Sequence, residues 1–472
     1  MMRQQDIVEQ REHEDAVAYG GWSIDLHPAD GVFGEKPGCN QWHSKGIYQI
    51  PYRSLYSKNI KNLFLGGRLI SATHVAFAST RVMATAAHIG QAIGMAAFIA
   101  KDKAAKVEEK LIEMAKHKPK IANYEPQYFY PRDILTEGFV PDLQNELLKV
   151  GQHIPKFELQ DDTDLVQQAT LHASSSYELA AFNAHFALPM DTAVAQMLPL
   201  EAGRVPDITV EVDAAENTEL NVELRSSSRT GNYTPDVTLE ALTIPLQKGR
   251  QKIKLSFLAT MPERAYAFLT FLENTAILLY RTNVRVTGVL TVFNLINKAV
   301  SNFGKQTPPD DIGMEVFEFW CPQRRPDGHN LALLIEPALQ PFGVEQIRTG
   351  IYRPTTAPNA WVSSLDDETP QLKISWEAPQ KIRHIDLFFD TDYDHPMESV
   401  LMGHPEDVMP FCVRNYKIVD DEGRVIFEKE GNYQSMNRIE LKQAIVTSAL
   451  TIMVDHPSEN APASLFSVRC YS

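Results

Sequence analysis

Apolar and polar residues alternate along much of the second half of the chain. Ile208-Thr209-Val210-Glu211-Val212 and Leu220-Asn221-Val222-Glu223-Leu224 set the pattern, which returns over residues 252–257, 284–286, 372–376, 382–387, 450–454 and 465–469. A period of two marks strands with one buried face. Many short strands without intervening helices predict antiparallel sandwiches, here two of them. Residues 415–419 and 424–427 flank Asp420-Asp421-Glu422-Gly423 and read as a hairpin with its glycine at positive φ.

The first 165 residues follow another rhythm. Residues 82–100, VMATAAHIGQAIGMAAFIA, read as a long helix of small residues. Met83, Ala87, Gly90, Gly94 and Ala97 fall on one stripe of it. Glycine costs about 1 kcal/mol relative to alanine in a helix, so two on one face are expected where that face approaches a sheet or a ligand closely. A charged helix near residues 107–116 follows, then a proline-punctuated stretch over 118–131. A further helix opens at Pro141, with Leu143, Leu147 and Leu148 at helical spacing and Gly151 as its stop. These shifts divide the chain into residues 1–105, a helical linker over 106–165, and sandwich modules over 166–300 and 301–472. The last boundary lies near the polar stretch 304–311.

Composition narrows the class. With 472 residues, 44% hydrophobic and 22% charged, the chain is long enough for several packed domains. Forty-five basic against sixty acidic residues give a net charge of −15, which argues against nucleic acid as the main partner. Cys39, Cys321, Cys412 and Cys470 are scattered without a C-x-x-C, which excludes a thiolate zinc knuckle and a local iron–sulfur run. The opening Met1-Met2-Arg3-Gln4-Gln5-Asp6 has no apolar signal-peptide run. His88 and Gln91 make residues 82–100 a poor lipid-facing span, so that helix is expected inside protein and no membrane partner is expected. The compartment stays open: cytoplasmic, or periplasmic or secreted for a longer chain.

Candidate chemistry concentrates in residues 62–97. Asn62-Leu63-Phe64-Leu65 reads as a buried strand entering the turn Gly66-Gly67-Arg68. A loop over 69–78 then leads to Ser79-Thr80-Arg81, where Ser79 or Thr80 caps the long helix. Glycines let backbone amides reach a ligand, and a helix start offers unpaired donors and a positive dipole end, so the unit is suited to an anion. The same pattern also describes an ordinary β-turn-α unit that binds nothing.

Residues 62–83, NLFLGGRLISATHVAFASTRVM, closely resemble the C-terminal flavin-binding signature of a family of FAD-dependent oxidoreductases related to the flavoprotein subunit of heterodisulfide reductase. YGGWSIDLH at 19–27 and YQIPYRSL at 48–55 are similar to that family as well. The resemblance implies a multidomain α+β chain, with the C-terminal part of an α/β flavin-binding domain followed by a helical linker and two antiparallel jelly-roll sandwiches. It implies that Gly66, Gly67 and Arg68 meet the FAD phosphates and ribityl chain. Ser79, Arg81, Val82 and Met83 would then lie toward the ring. His74 would be a flavin contact or a proton donor, unless it is a hydrogen-bonded structural histidine. The implied reaction is hydride transfer between flavin and a small-molecule or carbohydrate substrate.

One departure stands out. A dinucleotide-binding domain needs G-x-G-x-x-G after its first strand, and this chain contains no G-x-G. The N-terminal Rossmann half is therefore expected outside this chain, in a truncated or split reading frame or in a companion polypeptide. Only a half-site for FAD is expected here.

Other patterns are weaker. The run Asp390-Thr391-Asp392-Tyr393-Asp394 opens like a calcium loop, but His395 and Leu401 occupy the positions that need glycine and glutamate. His13, His27 and His43 lack zinc-ligand spacing, so no metal is expected. The strand-rich half resembles galactose-binding-like jelly rolls, its last hundred residues most of all the discoidin type. Trp320, Trp361 and Trp376 are either sugar platforms or core. A non-enzymatic carbohydrate- or surface-binding protein with a vestigial flavoprotein stump is the rival reading.

Overall fold

The computed structural model describes all residues except 36–37, 39, 43–45, 118–128, 230–233, 295, 298–301, 304, 307–316, 319, 323–329, 392–408 and 410. The described residues form two compact units, Met1–Gln160 and those from Asp161 on. Most of the boundary stretch 304–311 and of the acidic run 390–394 lies outside the described residues.

In the first unit, α1 (Gln4–Val8) precedes two antiparallel pairs. β1 (Ala16–Gly20) pairs with β4 (Tyr48–Pro51), and β2 (Ile24–Leu26) with β3 (Asn40–Trp42). Helices α2 (His74–Thr80), α3 (Met83–His117), α4 (Asp133–Thr136) and α5 (Val140–Lys149) follow. Val17 and Ala18 of β1, Ile50 of β4, Ile89, Ala92 and Ala96 of α3, and Leu143, Leu147 and Leu148 of α5 share one core. The leucines of the segment read as a linker thus serve this core, and Gly151, at φ 84°, ends α5 as expected.

Three local expectations need correction. The residues 62–65 form no strand; Phe64 makes one isolated bridge to Tyr56, because the apolar run is short and Leu63 is exposed. The charged helix near 107–116 is not separate, since α3 continues unbroken through it. Among the described side chains of α3 one face is buried: Thr85, Ile89, Ala92, Ala96 and Ile99 point inward. The small-residue stripe Met83, Ala87, Gly90, Gly94 and Ala97 is exposed. Isoleucine buries more apolar area than glycine, so the branched face takes the protein side. By length and composition alone α3 is apolar enough to cross a membrane, with 33% of its most apolar window buried.

The second unit is almost entirely strand. β5 (Thr170–Ala173) is followed by β6 (Leu179–Phe182), β7 (Phe186–Pro189), β8 (Val194–Leu200), β9 (Asp207–Ala214), β10 (Thr218–Ser226), β11 (Val237–Leu246) and β12 (Gly249–Leu255). Next come β13 (Ala265–Phe271), β14 (Ile277–Thr282), β15 (Thr291–Asn294), β16 (Trp320–Pro322), β17 (Asn330–Leu331) and β18 (Leu333–Leu339). One sheet runs β17-β14-β9-β18-β6, with β12 on β9 and β7 on β14; the other runs β11-β10-β13-β8-β15-β16. β9 alternates strictly between half-buried and buried positions, and its Ile208, Val210 and Val212 meet Leu220, Val222 and Leu224 of β10 in the core of this first sandwich.

The second sandwich holds β19 (Gln371–Phe388), β20 (Tyr416–Asp420), β21 (Val425–Lys429), β22 (Met436–Val454) and β23 (Ser467–Tyr471), in the order β21-β20-β22-β19-β23. Register shifts between Ser375 and Gln380 and between Ile382 and His384 mark bulges in the β19–β22 ladder, and bulges bend strands. Ile374 before them and Leu387 after them therefore reach one core. Gly423 adopts φ 78° in the expected hairpin. Trp320, Trp361 and Trp376 are all buried, so they serve the core rather than offering platforms.

The sandwiches of this unit share a seam. β5 precedes the first sandwich in sequence yet pairs with β19 of the second. Thr287 donates to Asp390 at 3.0 Å and lies 2.8 Å from the Ser464 hydroxyl, all three side chains buried. Gly288 sits at φ 82°, and a Cβ there would come within 2.7 Å of the Pro358 Cβ. Gly288→Val should therefore destabilise the second unit by roughly 1–3 kcal/mol or more. An unchanged denaturation midpoint for the β-rich transition would contradict this close seam.

Candidate functional site

The Gly66-Gly67-Arg68 turn is pressed onto α3. A Cβ on Gly66 would lie 3.0 Å from Ile93 Cδ1, and Gly67 occupies φ 55°, open to glycine at little cost. A 3-10 turn over Gly67–Leu69 follows, closed by Leu69 N–H donating to Gly66 C=O at 3.0 Å. This places Arg68 at the surface, its guanidinium 5.6 Å from the centre of the Phe77 ring. Among the described residues Arg68 makes no hydrogen bond or ion pair.

Arg81 reaches the same ring, 6.0 Å from its centre. It also donates to the Asp25 carbonyl at 3.1 Å and carboxylate at 3.4 Å. Phe77 thus gathers two cations, within the attractive range of an aromatic face. Sequence reasoning missed Phe77; its place four residues before Arg81, one helical turn away, was the available signal.

A separate short helix, α2, stands where a loop over 69–78 was expected, so Ser79 and Thr80 end α2 instead of capping the long helix. Thr73 caps α2, accepting from the Ala76 N–H at 3.4 Å. α3 opens separately, with Ala86 N–H donating to the Val82 carbonyl at 2.9 Å. Val82 is half-buried and Met83 is 90% exposed, so both lie beside the accessible amino end of α3. His74, exposed in the first turn of α2, has no hydrogen-bond partner among the described residues.

Ser79 is turned inward. It is fully buried and donates to the Trp22 carbonyl at 2.6 Å, so the Tyr48 hydroxyl, 2.7 Å away, donates to it. Its one donor is committed to the Trp22 carbonyl and its side chain is buried, so it offers no proton to a ligand at the surface. A Cβ on Gly20 would overlap the Tyr48 hydroxyl, which explains a glycine at that strand end. Burial raises the Tyr48 pKa far above the usual phenol range, so it stays a neutral donor.

A second polar group holds β4 in place. Asp15, buried, accepts from the Arg53 N–H at 2.9 Å and its guanidinium at 2.5 Å. Arg53 also meets His13 Nδ1 at 2.8 Å. Arginine has only donors, so that nitrogen must be unprotonated. Burial first, then Arg53 and Arg11, lower the His13 pKa against the opposing pull of Asp6 and Asp15.

The donor set at Phe77 suits an anionic, phosphate-bearing ligand: one unpaired guanidinium, one partly paired, a glycine turn that lets backbone approach, and a helix amino end. Residues 1–117 match the family described as FAD dependent oxidoreductase. No curated protein matches the chain. Solved structures similar to part of it include the family 32 carbohydrate-binding module from Streptococcus pneumoniae EndoD, at 13% identity over 28% of this chain and 88% of that one, TM-score 0.23. Chitosan-binding module 1 from the chitosanase/glucanase of Paenibacillus sp. IK-5 is similar at 11% identity, 28% and 86% coverage and TM-score 0.21. GH31 CBM32-2 bound to GalNAc is similar at 10%, 28% and 89%, TM-score 0.22. Scores this low carry no argument about ligand or activity.

Ser79→Ala would orphan the buried Tyr48 hydroxyl and Trp22 carbonyl, and should cost the first unit about 1–3 kcal/mol in chemical denaturation. Neutrality would contradict the inward role. The lowered His13 pKa contributes stability that is complete above the unfolded value of 6.5 and is lost as pH falls from there toward the folded value. Thermal scans of the first-unit transition against pH should show this loss, and His13→Gln should flatten it. An equal slope in the variant would remove His13 from the account.

Proposed function

We propose that the first unit is the C-terminal part of an FAD-dependent oxidoreductase domain of the kind related to the heterodisulfide reductase flavoprotein subunit. A dinucleotide-binding half bearing a G-x-G-x-x-G turn, carried by polypeptide outside these 472 residues, would complete the site. The carrying observation is that Arg68 and Arg81 both reach the Phe77 ring while the Gly66-Gly67 turn that presents Arg68 rests on α3. The family match over residues 1–117 supports the same reading.

FAD, when bound, supplies hydride transfer to or from a small-molecule or carbohydrate substrate. The chain's own work is to bind, orient and neutralise. Arg68, without an anion among the described residues, would hold the phosphates, and Gly66 and Gly67 would give the polar chain close backbone contact. The amino end of α3, with Val82 and Met83, would lie toward the ring, and a helix amino end would favour negative charge there. Arg81 fixes that junction through Asp25. His74 is accessible to solvent and is the candidate proton carrier. Ser79 acts indirectly, by anchoring α2 to Tyr48 and Trp22. The exposed Gly90 and Gly94, with open space where a Cβ would stand, leave room for the completing half to pack closely.

The rival, a carbohydrate- or surface-binding protein, draws support from the extent of the sandwich unit, but its three candidate tryptophan platforms are buried. Binding of residues 161–472 to a glycan array would favour it.

Purified chain alone should carry little or no flavin absorbance. Adding a polypeptide with the strand–G-x-G-x-x-G–helix half should restore stoichiometric flavin, and Arg68→Ala or Gly67→Val should weaken that restored binding at least about tenfold, the loss of one charge-assisted contact. Stoichiometric yellow protein without a partner would contradict the half-site.

A further inference from the structure

A hollow of about 310 Å³ opens in the first sandwich between the end of β8, the segment leading into β9, and β18. Its cause lies in the ladder. Asp207 and Ile208 of β9 keep their partners Glu336 and Ile335 on β18, but the register of β18 on β6 is interrupted between Leu334 and Leu339. A stretch that leaves its ladder re-aims its side chains, and Glu336, Pro337 and Ala338 wall the hollow there. Leu200, Val205 and Pro206, all buried, and the half-buried Leu339 supply an apolar lining.

The rim is charged, and its groups differ in whether they are matched. Glu201 is held by Arg264 at 3.1 Å. Asp207 is held by Lys254 at 2.9 Å and by the Ser256 hydroxyl. Two groups of opposite sign are left. Arg204 comes no nearer to an acid than 3.9 Å, at Asp207, which is too long for a hydrogen bond. Glu336 makes no side-chain hydrogen bond or ion pair among the described residues, and Lys254, whose field it shares, is the cation already bound to Asp207. Directly opposite residues of an antiparallel pair point to one face, so Glu336 stands beside Asp207, on whose other flank Arg204 lies. Both side chains are exposed at the mouth of the hollow, yet they form no pair with each other.

We propose that this hollow binds a free apolar α-amino acid in its zwitterionic form. Arg204 takes the carboxylate in the fork that a guanidinium presents. Glu336 takes the ammonium group, and the apolar side chain leaves water for the lining of Leu200, Val205 and Leu339. A neutral sugar would leave both rim charges unmatched, and a simple cation or anion would leave one. The volume stands at the small end for ligand pockets, which suits a molecule of this size. Exposed charges bind weakly one at a time, so the affinity depends on both ligand charges and on the apolar body together. The inference is independent of the flavin reading.

The test is equilibrium dialysis of the full chain near neutral pH against radiolabelled L-leucine, L-methionine and L-phenylalanine. Competitors are N-acetyl-L-leucine, which lacks the ammonium group, L-leucinamide, which lacks the carboxylate, and glycine, which lacks the apolar body. At least one of the labelled amino acids should bind saturably, and each competitor should act at least about tenfold more weakly than unlabelled L-leucine, the loss of one contact. Arg204→Ala should erase the preference for leucine over leucinamide, and Glu336→Gln the preference for leucine over its N-acetyl form. Both variants should keep the β-rich thermal midpoint, because the two side chains are exposed. Absence of saturable binding by all three amino acids would overturn the proposal. So would N-acetyl-leucine or leucinamide competing as well as leucine, or unaltered binding in both variants.

Discussion

Two guanidinium groups converge on the ring of Phe77, and among the described residues the exposed one, Arg68, has no anion. That arrangement depends on a steric constraint one step back. Gly66 lies so near Ile93 that a side chain there would crowd the Ile93 Cδ1 on α3, and Gly67 then turns the chain through positive φ to deliver Arg68 to the surface. Around this point the first unit is fixed from behind, by Ser79 held between Tyr48 and Trp22 and by Thr73 capping α2. The cationic surface is thus rigidly supported, and rigid support is what a binding site built from backbone and fixed charge requires.

The second unit has a different logic. Its sandwiches are not beads on a string, because β5 crosses to the far sheet and Thr287, Asp390 and Ser464 bond across a buried seam. Phe388, which ends β19 of the second sandwich, and Phe466, which precedes β23, lie in the core of the first. Joined in this way, the two sheets systems are expected to unfold together.

The strands were legible where burial alternates. β9 and the Gly423 hairpin follow their sequence pattern closely, because one face of each is buried and period two leaves no second solution. The bends of β19 were not legible: its two apolar segments look like separate strands, and Pro379 between them reads as a strand break although it sits at a bulge within one strand. Leu143, Leu147 and Leu148 announced a helix, but not that it would pack with Val17 and Ala18, since long-range partners leave no local trace. At the candidate site the glycine turn and Arg81 could be read directly. The break between α2 and α3 could not, because Ser79-Thr80-Arg81 is as good a cap in sequence as Thr73 proves to be in space. The inward turn of Ser79 depends on Tyr48, thirty-one residues away in the chain.

The claim that the Phe77 surface receives the anionic chain of a flavin dinucleotide is tested most directly by amide chemical shifts of the full chain during titration with FAD. Even weak half-site binding should displace the Gly67, Arg68, Met83 and Ala84 resonances together, and riboflavin, which lacks the phosphates, should leave Arg68 unmoved. Shifts confined to other parts of the chain, or none at saturating FAD, would contradict the account.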